Sequence, residues 1–255
     1  MQNYLIVGAG GTGTHLLRPL YAYLTAYHST VIHDPDGPVP IPANEFQLWI
    51  IDGDIVEEKN LERQLFPAGT VTMNKALAVA TAMGNPTNIL PIPDYLSEEN
   101  ITRYIQDGDT VFICADNFTV RKRIEDHALT LDNIVIINGG NEGSDGSVQL
   151  WVRKDGQNVT PRIGYLHPEI AVAIGDDRAE MTCQQAASLP GGQQTLVANL
   201  QSATWMLTAL WRYHAEHYDQ SGDPGPKTWT ELQFDALRGV VDHIDMRMSS
   251  HWRTA

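Results

Sequence analysis

The sequence predicts an α/β fold: a doubly wound, mostly parallel sheet of the Rossmann-like type, extended by antiparallel strands, with a crossover loop and a C-terminal hairpin. Three observations predict it. From Tyr4 to Ile137, short apolar runs alternate with stretches of helical periodicity. The first run ends in the loop Gly8-Ala9-Gly10-Gly11-Thr12-Gly13, the form of a strand-to-helix turn at the ligand edge of such a sheet. After Asn138 the pattern changes to the period-two alternation of antiparallel strands.

Tyr4–Val7 reads as a fully buried parallel strand, and residues from Thr12 to about Thr25 as a helix with Leu16, Leu17, Leu20 and Leu24 on one side. Residues His28 to Asn44 are rich in Pro, Asp and Gly and read as a long loop. Phe46–Ile51 is the second strand. Asn74–Met83 is a helix closed by Gly84-Asn85-Pro86. Ile89–Ile92 is a weak strand, and Ser97 is placed to cap a helix from Glu98 to Gln106. Thr110–Cys114 is a strand, Asn117 to about Leu129 a helix and Ile134–Ile137 a strand, with right-handed crossovers expected between parallel strands. Ser147–Arg153 alternates as an antiparallel strand. Gly156 to Gly192 carries few periodic signals and reads as an extended crossover segment of the kind that is functional when long. Thr195–His217 is a strong helix, apolar almost all round near Trp205–Trp211 and so expected to be buried; His214 and His217 share a face near its end and read as solvated. Gln220–Pro226 reads as a linker, and Thr228–Met246 as a hairpin turning at Arg238-Gly239. The expected organisation is one domain over 1–255, with a nucleotide-binding core in 1–140 and the crossover segment, long helix and hairpin in 141–255.

Composition narrows the function. Lys+Arg number 17 against 31 Asp+Glu, a net charge of −14. A surface so acidic repels phosphate backbones and anionic lipid, which argues against nucleic-acid or membrane binding by bulk charge. No apolar run approaches the roughly 18 residues of a membrane span. The chain enters its first strand without a signal-peptide pattern, and two cysteines support neither a disulfide framework nor a four-cysteine zinc site, so a cytoplasmic, reducing compartment is expected.

The glycine loop presents backbone N–H groups and a helix N-terminus to a phosphate, and Asp52 ends the second strand where a carboxylate reaches ribose hydroxyls. These two features alone leave a nicotinamide cofactor open. Three more motifs discriminate. Asp52-Gly53-Asp54 is followed by Asn60-Leu61-Glu62-Arg63-Gln64, Lys75 opens the next helix, and Ala115-Asp116-Asn117-Phe118-Thr119-Val120-Arg121 follows the fourth strand of the alternation. Arg63 offers a planar fork to phosphate oxygens, Lys75 a point charge beside a helix dipole, and Asp116 a carboxylate able to share Mg²⁺ with phosphates. Singly, Arg63 reads equally as a surface ion pair, Lys75 as a solvated helix residue and Asp116 as a helix cap. Together, in this order, they point to an enzyme that splits ATP.

On these residues the chain resembles the ThiF/MoeB adenylyltransferases, the family that includes ubiquitin-activating enzymes. The resemblance rests on GAGGTG, DGDIVEEKNLERQ, Lys75 and DNFTVR; it covers residues 3 to 140 well and weakens toward residue 217. It implies MgATP-dependent adenylation of the C-terminal carboxylate of a ubiquitin-like or sulfur-carrier protein, by a homodimer. It also implies site roles. Gly8, Gly10, Gly11 and Gly13 cradle the nucleotide, Asp52 binds ribose, and Asp54, Asn60, Arg63, Gln64 and Lys75 line the phosphates. Asp116 holds Mg²⁺, with Asn117 beside it. Cys183, in the expected crossover ahead of the long helix, is the candidate acyl acceptor, or else a small buried residue; Cys114, inside a strand, is expected in the core. In relatives an N-terminal helix lends an arginine to the partner subunit's ATP site; here the chain opens on its first strand, and Arg18 is a weak substitute. The zinc-binding CxxC pairs of many relatives are absent. The other readings are adenylation of a peptide, modified tRNA base or other small carboxylate, and a catalytically silent scaffold binding nucleotide or a ubiquitin-like partner.

Overall fold

The computed structural model describes residues 1–34, 37–41, 46–173, 195–218 and 229–244. Its strands are β1 (Gln2–Val7), β2 (Thr30–Asp34), β3 (Gly37–Ile41), β4 (Phe46–Ile51), β5 (Ile89–Ile92), β6 (Thr110–Ile113), β7 (Ile134–Glu142), β8 (Asp145–Lys154), β9 (Gln157–Asn158), β10 (Glu231–Asp235) and β11 (Val240–Ile244). Its helices are α1 (Gly11–Tyr27), α2 (Lys75–Ala82), α3 (Ile101–Tyr104), α4 (Phe118–Ala128), α5 (Ile163–Leu166), α6 (Pro168–Ala171) and α7 (Leu196–Tyr218).

Among the described residues one sheet runs in the order β11-β10-β8-β7-β6-β1-β4-β5, with β9 added to β8. β5, β4, β1, β6 and β7 pair in parallel, whereas β8, β10 and β11 continue the sheet antiparallel. Pro91 is tolerated in β5 because that strand is the edge, where one row of N–H groups needs no partner.

Alternation along each strand sorts side chains into two cores. Tyr4 and Ile6 of β1, with Phe112 and Ile137, join α1, α2 and α7 on one face. Leu5 and Val7, with Val111, Ile113, Ile134 and Ile136, join Ile101, Ile124, Trp151, Ile163 and Ile170 on the other. Leu16, Leu20 and Leu24 of α1 are wholly buried, each contributing roughly 1.5–3 kcal/mol of transfer free energy.

Four local expectations change. The segment read as a loop over His28 to Asn44 contains the two-stranded ribbon β2–β3, paired from Thr30↔Ile41 to Asp34↔Gly37; the β-branched run Thr30-Val31-Ile32 outweighs the turn residues, and an isolated ribbon accepts Pro38 and Pro40. The helix expected over Glu98 to Gln106 shrinks to α3, and Ser97 does not cap it; instead the Asn100 side chain accepts the Ser97 N–H at 2.8 Å. Helix α7 is not buried all round, since Val197, Leu200 and Trp211 are exposed. His214 is buried, donating or accepting at 2.8 Å with the Tyr23 hydroxyl and stacked 3.9 Å from Tyr27, rather than solvated. The segment read as a linker and Cys183 lie outside the described residues. Among these, no helix is long and apolar enough to cross a membrane.

Strand β1 leaves the sheet between β4 and β6, and its glycine loop turns tightly there. A Cβ on Gly13 would stand 2.0 Å from the Gly8 carbonyl oxygen, whereas one on Gly69 would meet nothing within 4 Å. Gly13→Ala is therefore expected to lower unfolding free energy by about 2 kcal/mol or more in urea denaturation, and Gly69→Ala by far less.

Candidate nucleotide-binding site

The site is built at the carboxyl ends of β1, β4 and β6, where the strand order reverses direction around β1. Gly8 has φ +97°, and a Cβ there would lie 2.8 Å from the Ala115 nitrogen, so the loop crosses the end of β6 at backbone distance. Thr14 N–H donates to the Gly10 carbonyl at 3.0 Å and opens α1 toward the loop.

Asp52 fixes the loop from the β4 side. One carboxylate oxygen accepts the Ala9 N–H at 2.6 Å and the other the Asp54 N–H at 2.8 Å. Burial pushes the Asp52 pKa up to about 6, against the attraction of Lys75. Asp54 also feels burial, but the ammonium of Lys75, 2.8 Å away, and the Tyr95 hydroxyl, 2.5 Å away, hold its carboxyl below the usual carboxylate range. Lys75 is itself 4% exposed. Asn74 clamps this turn to α2: its Nδ2 donates to the Asp52 and Asp54 carbonyls at 2.8 and 3.0 Å, while its Oδ1 caps the helix through Leu77 N–H.

One cleft of about 1620 Å³ gathers most of the expected residues: Gly8, Gly10, Gly11, Asp52, Asp54, Arg63, Gln64, Lys75, Asp116 and Asn117 all line it. Gln64 Oε1 is buried without a hydrogen-bond partner. Gly13 and Asn60 do not line the cleft. Asn60 is fully buried and closes a reciprocal cap with Glu57, accepting that residue's N–H at 2.9 Å, so it shapes the short 3₁₀ turn Glu58–Glu62 that presents Arg63. Asn117 caps α4 by accepting the N–H groups of Thr119 and Val120 at 2.7 and 3.1 Å; Asp116, one residue earlier, is left exposed to the cleft. Cys114, expected in the core inside a strand, follows the last residue of β6, is half-buried and lines the cleft; burial of its thiol pushes the pKa up to about 12.

Three supporting residues have no clear signal in the sequence. Tyr95 sits in an irregular stretch after β5. Asn74 reads only as the start of a helix. Arg121 belongs to a quoted motif, yet its work is structural: it is 8% exposed and donates to the carbonyls of Ala115 and Gly139 at 3.1 and 3.0 Å, tying the end of β6 to β7.

A profile of the ThiF family matches residues 1–238. Adenylyltransferase and sulfurtransferase UBA4 of Yarrowia lipolytica is 31% identical over 153 residues, 59% of this chain and 33% of that protein. The SAMP-activating enzyme E1 of Haloferax volcanii is 24% identical over 139 residues, 53% of this chain and 44% of that protein. The matched stretch thus spans between a third and under half of the length of these relatives. Crystal structures of E. coli MccB with ATP and with MccA-N7isoASN each superpose with a TM-score of 0.65, at 14% and 15% identity, over 96% of this chain and 63% and 64% of MccB; they support the fold.

Removing Asp54 strands a buried ammonium, whereas removing both charges does not. Asp54→Ala is expected to cost about 2 kcal/mol in urea unfolding, and Asp54→Ala with Lys75→Met to cost less than Asp54→Ala alone.

Proposed function

This chain belongs to the ThiF family, and we propose that it uses MgATP to adenylate the C-terminal carboxylate of a ubiquitin-like or sulfur-carrier protein. The observation that carries this reading is the meeting of the glycine loop, Asp52, Arg63, Lys75 and Asp116 in one cleft.

A carboxylate is a weak nucleophile, and its target is an anionic α-phosphorus. Positioning and charge neutralisation therefore do most of the work. In the proposed step a tail carboxylate oxygen forms a bond to the α-phosphorus, the bond from that phosphorus to the bridging oxygen breaks, and pyrophosphate leaves with the electron pair. Lys75 and Arg63 offset the growing charge on the phosphates. Asp52 accepts from the ribose hydroxyls, and the backbone around Gly10 and Gly11 faces the phosphates.

Asp116 fits Mg²⁺ brought in with the nucleotide. It is an exposed carboxylate in the cleft, and a magnesium ion takes one or two carboxylates plus phosphate oxygens. When bound, the ion supplies charge neutralisation at the phosphates. A homodimer and a cytoplasmic location belong to the same reading. So does transfer to Cys183, in which the thiolate forms a C–S bond with the acyl carbon and AMP leaves; Cys183→Ala then abolishes any reductant-sensitive adduct with the acceptor.

The reading is tested by ATP–pyrophosphate exchange dependent on an added carboxylate tail. Arg63→Ala, Lys75→Ala and Asp116→Ala should each lower exchange by on the order of 10²–10³. Absence of exchange in the wild type, with stabilisation by NAD in thermal unfolding, would overturn it.

The Asp52 carboxyl also sets a pH dependence. Because the fold raises its pKa to about 6, its contribution to folding is complete below the ordinary carboxylate range and is lost as pH rises through about 6. Nucleotide binding needs the ionised form and runs the other way. Affinity for ATP should fall as pH drops through about 6, and Asp52→Asn should flatten that profile in isothermal titration.

A further inference from the structure

The arginine that would meet the nucleotide stands on a short turn, and the first turns of α1 hold the main chain of that turn. The 3₁₀ turn Glu58–Glu62 ends at Arg63, and Arg63 and Gln64 line the cleft. Beneath them the N–H groups of Arg63 and Gln64 both donate to the Asn60 carbonyl, at 3.2 and 2.9 Å. Apolar anchors stand on either side: Leu61 packs, partly buried, against the core that holds Leu16 and Leu20 of α1, and Phe66 is buried in it. Between those anchors two main-chain groups are met by α1 side chains. The Leu65 N–H donates to the Thr14 hydroxyl oxygen at 3.3 Å, while that hydroxyl donates to the Gly11 carbonyl at 3.0 Å. The ring of His15 donates to the Arg63 carbonyl. Thr14 and His15 follow Gly13 directly, so the helix start that faces the phosphates also holds the backbone of the cation that would meet them.

Histidine is a poor choice here for packing alone. His15 is 6% exposed, on a helix whose Leu16, Leu20 and Leu24 are wholly buried. Its Nε2 is buried without a hydrogen-bond partner. A buried acceptor left unsatisfied opposes folding, whereas leucine or phenylalanine would fill the space with no polar atom. What the ring offers that they do not is a single donor. Because Nε2 has no partner, that donor is Nδ1–H, and the tautomer is fixed by it. Burial lowers the pKa of His15, against the Arg63 carbonyl, which favours the charged form. At neutral pH the ring is therefore uncharged and adds no repulsion beside Arg63. His15 does not line the cleft, so its contact with the turn is positional.

We propose that His15 is a positioning residue for Arg63: its Nδ1–H holds the Arg63 carbonyl and so sets where the guanidinium meets the phosphates. The inference rests on the nucleotide reading of the cleft and adds to it a residue that touches neither nucleotide nor acceptor. Moving a reacting or charge-stabilising group by about 1 Å costs up to about 10² in rate. A long arginine side chain enlarges any tilt of its own backbone, so a small loosening of the turn becomes a large displacement at the guanidinium. Thr14 and Asn60 hold the groups on either side of the Arg63 carbonyl; His15 holds the carbonyl itself.

The test is a double-mutant cycle on the full chain, read by isothermal titration of a non-hydrolysable ATP analogue with Mg²⁺ and, in parallel, by ATP–pyrophosphate exchange. His15→Leu removes the donor and should weaken the analogue about tenfold and lower exchange about 10- to 100-fold. Its thermal midpoint should stay within a few degrees of wild type, because the orphaned Nε2 goes with the donor. His15→Asn, whose amide nitrogen stands near the place of Nδ1, should restore both readouts to within about threefold of wild type. In an Arg63→Ala background His15→Leu should change either readout by less than about threefold, since a residue that acts through Arg63 has nothing left to act on. Should His15→Leu fail to fold, His15→Phe, which keeps the bulk of the ring without the donor, carries the same comparison. Additive losses in the cycle, no rescue by His15→Asn, or wild-type affinity and exchange in His15→Leu overturns the proposal. A wild-type chain that does not bind the analogue overturns the nucleotide site and the proposal with it. A chain that binds the analogue and shows the cycle in affinity, yet exchanges pyrophosphate with no carboxylate tail, overturns the adenylation reading instead and leaves the role of His15 standing.

Discussion

The structure depends on the point where β1 leaves the sheet. Gly8, at a left-handed φ, passes within backbone distance of Ala115 at the end of β6, and Asp52 at the end of β4 holds the Ala9 N–H from the other side. Three parallel strands are tied together at their carboxyl ends by a turn that has no room for a side chain at positions 8 and 13. The start of α1, the height of the phosphate-facing N–H groups and the placement of Asp116 all follow from that constraint.

Around it charges are arranged in a graded order. Asp52 is half-buried and reluctant to ionise, Asp54 is held ionised by a nearly buried Lys75, and Asp116 is exposed in the cleft. Two neighbouring carboxylates of one turn thus have opposite environments, one set by burial and the other by a paired ammonium.

Much of this was legible in the sequence because it depends on local chemistry. The glycine loop, Asp52, Lys75 and the Asn117-capped helix follow from strand–turn–helix patterns that side-chain type and spacing encode directly. The ribbon β2–β3 was hidden because Pro, Asp and Gly serve a short hairpin as readily as a loop. Helix α3 was overextended because periodicity alone does not say where packing ends a helix. Tyr95, Asn74 and the tie made by Arg121 to Gly139 were illegible for another reason: each acts through a contact between segments distant in the chain, and only the folded register brings them together.

The same dependence on register constrains how such a chain can diverge. Thr12 donates to Asn141 at 3.1 Å, Asn141 donates to Asn199 at 3.0 Å, and a Cβ on Gly11 would stand 2.3 Å from the Asn199 amide nitrogen. The phosphate-facing loop and the first turns of the long helix are thus one heritable unit. A side chain at position 11 would have to displace the Asn199 amide, and with it the bond that Asn141 makes there, so a change in the loop is felt in the long helix.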